Sequence, residues 1–158
     1  MTQALYILFQ KYGLTGLFTF SYFEALVHPF PVDPLLVFFL SYGFSPYSLF
    51  FIAVSANVLG AICGYFLGMY YGEPLFLKFF SQERYDQGAA VIKKYGIFAL
   101  FLGAVTPVPF TPVVWIVGIF EMNFTRFLLL VIIGRSLRFG AVLFFGDVII
   151  EYMKVLMG

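Results

Sequence analysis

The chain is short of charge, histidine and cysteine. Of its 158 residues, 11% are Asp, Glu, Lys or Arg, against about 25% in an ordinary soluble domain. So little charge cannot clothe a water-facing surface. The lone Cys63 excludes an internal disulfide framework. The lone His28 cannot build a histidine-rich metal site. Without a serine–histidine or multi-histidine constellation there is no nucleophile with its base, so no catalytic residue, metal ligand or cofactor is expected, and the chain reads as a non-enzyme. A formal net charge of +1 lacks the basic excess that a nucleic-acid partner requires. Polar alternation is too sparse for an outer-membrane barrel with its wet lumen. Residues 1–12 lack the basic and short apolar regions of a cleaved signal peptide, so none is expected.

What the chain has is apolar residues, 62% of the total, with 22% aromatic and a mean hydropathy of +0.97. These values predict an integral membrane protein. Its crossings should be helices, which satisfy their own backbone hydrogen bonds in lipid. No charge falls between Asp33 and Glu73 or from Tyr95 to Phe120, and the block Phe127 to Phe145 is broken only by Arg135 and Arg138.

The prolines reveal a repeat. Six of eight fall into two copies of P-x-P-x-x-P, at Pro29, Pro31, Pro34 and at Pro107, Pro109, Pro112. The same offset carries Gly68 onto Gly146. Three prolines in six residues cannot continue a helix. The flanking apolar stretches then read as half-helices joined at a proline-rich tip. The expected fold is all-α, an inverted-topology repeat of a re-entrant hairpin plus a transmembrane helix in one domain. The first repeat covers 14–72 (hairpin 14–44, crossing 46–72) and the second 95–146 (hairpin 95–121, crossing 124–146). Between them, 73–94 is an amphipathic connector, and 147–158 is a short tail. A plain bundle of four to six complete spans is the alternative. Lys78, Arg84, Lys93, Lys94 and Arg126 on one side against Lys11 and Lys154 on the other place the connector in the cytoplasm of a multi-pass cell-membrane protein.

Glu24, Asp33, Arg135 and Arg138 lie where lipid should be. Each costs about 2.5–3.5 kcal/mol at mid-membrane if ionised and unpaired, so they must pair, protonate or face water. Arg135 and Arg138 are three apart and share a helix face. Two acids from the first half and two cations from the second should therefore meet. The arginines would bind a phosphate headgroup, which their planar forks can grip, while Glu24 and Asp33 would couple protons. Internal salt bridges that only fix the fold are the other reading. Gly60, Gly64, Gly68 and Gly72, at four-residue spacing, form a helix-packing stripe. Asn57, Ser55, Thr106 and Thr111 could line the polar space or tie helix to helix. Trp115, Tyr65, Tyr70 and Tyr71 read as interface anchors.

These residues resemble a known family. Glu24 followed by Pro29, Pro31 and Asp33 resembles the E-N-x-x-x-P-x-P-G-E signature of the DedA family, also called the VTT-domain or SNARE-associated Golgi protein family. Residues Ala56 to Gly60 and Gly64 to Gly68 are similar to its G-N-x-x-G…Y-x-x-G segment. The stretch Gly134-Arg135-Ser136-Leu137-Arg138-Phe139 resembles the G-K-x-x-R-Y run of the short YqaA-like branch. The two arginines that larger members carry at the second tip are absent, with Thr106 and Pro112, or Ala104 and Phe110, in their places. The resemblance implies lipid transport: recycling of a polyprenyl phosphate carrier with proton-coupled physiology in bacterial members, phospholipid scrambling in eukaryotic ones. The expected activity is thus flippase- or scramblase-like translocation of a phosphate-headgroup lipid. The alternative is a proton-coupled transporter of a small solute or ion. Expected partners are membrane lipid and protons, with a homo-oligomer through the glycine stripe as a further option and no nucleic acid.

Overall fold

The structure, a computed structural model, describes residues 2–27, 30–79, 81–106 and 110–157. Pro29, Pro107, Pro109 and His28 lie outside the described residues. Helix α1 spans Thr2–Leu26, α2 Asp33–Ser41 and α3 Pro46–Leu67, which runs through a π-helical turn at Gly68–Gly72 into α4, Glu73–Phe79. Helices α5 (Gln82–Val105), α6 (Phe110–Ile119) and α7 (Phe124–Met157) follow. Among the described residues there is no strand. Among the described residues three stretches are long and apolar enough to cross a membrane: Pro46–Gly72, Tyr85–Val105 and Phe124–Gly146.

Each half has the order long helix, proline-rich break, short helix, long helix. Asp33 and Pro34 open α2, since proline fits the first helical turn where its missing N–H is not needed. Helix α2 stops at Gly43, whose φ of 82° lies where a Cβ is penalised. The amide of Gly43 donates to Leu40 O (3.0 Å) and that of Phe44 to Phe39 O (3.2 Å). The Phe39 and Phe44 rings meet edge to face at 5.1 Å, completing a Schellman stop with its hydrophobic contact.

The halves interlock. Helix α1 lies on α3 and α5 on α7, whereas the short helices cross over, α2 onto α7 and α6 onto α3. The glycines of α3 permit that crossing. A Cβ on Gly60 would strike the Tyr22 carbonyl of α1, and one on Gly68 the Trp115 carbonyl of α6. Gly72 meets Ile119. In return Gly118 of α6 sits against the Tyr65 carbonyl of α3. Such backbone approach suits helix association in lipid, where burial against apolar tails gives no hydrophobic gain.

Three element boundaries differ from those expected. Helix α1 starts at Thr2, well before residue 14. The connector does not end at Lys94, because α5 runs unbroken from Gln82: no proline interrupts it, and Gln82 and Asp86 bond one turn apart (3.2 Å). Helix α7 passes Gly146 and continues to Met157.

Two apolar clusters fill the interior. One gathers Ala61, Tyr65, Leu100, Phe110, Phe127 and Val131, the other Leu17, Leu36, Leu49, Ala53, Phe139 and Leu143. Along α1, α3 and α7 the change from one cluster to the other falls at Ser21 and Glu24, at Asn57, and at Arg135 and Arg138. These are buried polar residues, so a polar layer separates two apolar ones.

Candidate functional site

The polar layer sits halfway along the crossings. Arg135 is eleven residues from either end of Phe124–Gly146, about 16 Å at 1.5 Å per residue. The structure brings Glu24, Asp33, Arg135 and Arg138 together as two pairs, each joining the first half of the chain to the second.

Asp33 and Arg138 form the tighter pair. Arg138 Nε donates to Asp33 Oδ1 (3.2 Å), and Nη2 donates to Oδ2 in a bidentate fork. Nη1 donates to the backbone carbonyl of Thr106 (2.5 Å). Asp33 opens α2 just beyond the first proline break, and Thr106 closes α5 just before the second. One guanidinium on α7 thereby ties the two breaks to each other.

Glu24 and Arg135 form the looser pair, with Arg135 Nη1 3.5 Å from Glu24 Oε1. Arg135 is 0% exposed and Glu24 4%. The Asn57 amide donates to Glu24 Oε2 (2.7 Å) and to Ser21 O (3.0 Å). The repeat offset that carries Pro29 onto Pro107 carries Asn57 onto Arg135, so corresponding positions of α3 and α7 converge on one carboxylate. The arginine lies over the Phe110 ring at 4.0 Å and near Phe139 at 5.5 Å, and those aromatic faces attract the cation. Its Nε, Nη1 and Nη2 have no hydrogen-bond partner, nor do Asn57 Oδ1 and Ser21 Oγ. A buried arginine with its donors unspent is unusual, because buried polar groups are normally bonded. This cluster offers donors to an anion and an acceptor and a hydroxyl to water.

The remaining expected residues are placed as follows. Thr111 donates to the Glu24 carbonyl (2.6 Å) and Trp115 Nε1 to the Leu26 carbonyl (2.9 Å), so α6 is stitched to the end of α1. Trp115 is thus a strut between helices. The Tyr65 hydroxyl bonds Met122 O across the bundle. Ser55 bonds Phe51 O within its own helix, and Tyr70 and Tyr71 are exposed. Pro31, Pro34 and Pro112 are exposed beside the breaks. The glycine stripe faces α1 and α6. Sequence reasoning missed Ser21, which was legible as the residue one turn before Glu24, and Phe110, whose role under Arg135 left no signal. Among the described residues no group of His, Cys, Asp or Glu could hold a metal ion.

A helical bundle with several apolar crossings and a charged layer at mid-depth defines a multi-pass membrane protein. Residues 30–148 match the VTT domain. The chain belongs to the VTT-domain, or DedA, family, whose members are generally membrane proteins of transporter type. It is 33% identical over 136 residues to an uncharacterized protein of Methanocaldococcus jannaschii, covering 86% of this chain and 85% of that one. A Haemophilus influenzae protein, also uncharacterized, is 24% identical over 123 residues, 75% of this chain and 64% of that one. No solved structure matches the chain.

Proposed function

We propose that the protein translocates a phosphate-headgroup lipid, a polyprenyl phosphate or a phospholipid, through the polar layer between its two halves. The observation that carries this reading is Arg135, wholly buried and with all three nitrogens lacking a hydrogen-bond partner. A cation kept in that condition at mid-bundle favours an anionic visitor over a purely structural part. In this reading Arg135 receives the phosphate first. Arg138 joins when Asp33 lets go of it, because its donors are otherwise engaged. Protonation of Asp33 or Glu24 weakens each carboxylate's hold on its arginine and so couples headgroup movement to protons.

The two proline breaks act here as the tips of re-entrant hairpins that enter from opposite faces of a cell membrane, with the connector between the halves in the cytoplasm. The crossed contacts of α2 with α7 and α6 with α3 support an inverted repeat, since broken helices gather at the repeat interface in such architectures. Proteoliposomes test the proposal. Flipping of a labelled polyprenyl phosphate or phospholipid by the purified protein is the expected result. Proton or solute flux without lipid movement would instead assign the site to a small-substrate transporter.

A further inference from the structure

Helices α2 and α6 stop in the same way. At the end of α6 the Glu121 amide donates to Gly118 O (3.0 Å) and the Met122 amide to Val117 O (2.9 Å), the bonding pattern that ends α2. The repeat offset carries Gly43 onto Glu121. The first half therefore fills its left-handed position with glycine, while the second fills it with a glutamate at φ 51°, a conformation that side chains with a Cβ rarely adopt. The second half keeps a carboxylate where its counterpart shows that glycine serves.

Glu121 lines a cavity of about 310 Å³ with Lys93 of α5 and Arg126 of α7, and Ile92 and Met122 supply apolar wall. Ligand pockets begin at about that size. The turn that carries Glu121 is fixed from two sides, by the Tyr65 hydroxyl on Met122 O and the Tyr85 hydroxyl on Ile119 O (2.9 Å). Asn123 Oδ1 accepts the Arg126 amide (3.1 Å), which holds the first turn of α7 in place. Among the described residues no ion pair joins Glu121 to Lys93 or Arg126, although all three border one space. The three charged side chains are exposed, and opposite charges that border one space without pairing leave room for a ligand carrying both signs.

We infer that this cavity binds a zwitterionic aminophosphate headgroup, with the phosphate between Lys93 and Arg126 and the primary ammonium at Glu121. It is separate from the mid-bundle cluster and does not depend on translocation there. Native mass spectrometry of the full chain in detergent, offered phosphatidylethanolamine and phosphatidic acid of matched acyl chains, tests it. The wild type is expected to retain phosphatidylethanolamine preferentially. Glu121→Gly relieves the left-handed strain, so its Tm should hold or rise while that preference falls about tenfold, the loss of one charged contact. Lys93→Ala with Arg126→Ala should lower retention of both lipids. Displacement of the lipid by soluble phosphoethanolamine would show that the headgroup alone suffices, and selectivity without displacement would assign the site to the intact lipid. An unchanged lipid ratio in Glu121→Gly, or undiminished retention in the double variant, overturns the inference.

Discussion

Replacing Glu24 by Gln and Arg135 by Met together should leave the protein at least as stable as it is now. At 3.5 Å and an effective dielectric of about 20, the attraction between the two charges is about 5 kcal/mol. Against it stand the three guanidinium nitrogens, all without hydrogen-bond partners. Each such group forfeits about 1–3 kcal/mol on burial. Stacking on Phe110 returns about 2 kcal/mol for a desolvated cation. The opposing contributions are of the same size, so the pair is near break-even as a structural element. Methionine fills a similar volume without polar atoms, and glutamine can still accept the Asn57 amide. The double variant is therefore expected to match the wild type or exceed it by up to about 1–4 kcal/mol, as other buried pairs do when made apolar. Glu24→Gln alone strands the guanidinium and should cost about 3–5 kcal/mol. Unfolding in detergent, followed by Trp115 fluorescence, measures all three proteins. A double variant as unstable as Glu24→Gln alone would refute the reasoning and make the pair a structural part.

Asp33→Asn removes the charge that holds Arg138, and should cost about 2–3 kcal/mol, below the range for a fully buried pair because the Asp33 side chain keeps 21% of its surface open. It should also speed thiol labelling of a Thr106→Cys reporter by freeing the second break from Arg138. Gly60→Ala forces a methyl into the Tyr22 carbonyl and should lose about 1–3 kcal/mol by overpacking. Gly16→Ala meets nothing within 4 Å and should be neutral or gain up to about 1 kcal/mol of helix propensity; paired melts of the two variants check this. Trp115→Phe loses the bond to Leu26 O, and should lower stability by about 1 kcal/mol in a denaturant titration.

Proline chemistry made much of this architecture readable in advance. A residue without an amide hydrogen breaks a helix wherever it sits beyond the first turn, so two matching triplets marked where α1 and α5 give way to the short helices α2 and α6. The four intramembrane charges were legible for a similar reason: lipid tolerates them only in company, which predicted that acids and arginines would meet. The pairing itself, Asp33 with Arg138 and Glu24 with Arg135, depends on how α2 and α6 cross between the halves, and composition carries no record of that. Helix continuity through Lys94 was missed because a cluster of charges resembles a connector, although charge does not end a helix. Glu121 escaped notice because glutamate is no stop signal, and only its dihedral angle reveals the strain. Arg135 stood out as a charge, while its unmet hydrogen bonds emerge only from the packing of Phe110, Asn57 and Ser21 around it.

The most direct test of the central claim is the rate at which proteoliposomes flip a labelled polyprenyl phosphate or phospholipid, compared between wild type and the Glu24→Gln, Arg135→Met double variant at equal amounts of folded protein. The account predicts flipping by the wild type and its loss in a variant that is fully folded. Equal flipping by both proteins would place translocation elsewhere and contradict the assignment of the mid-bundle site.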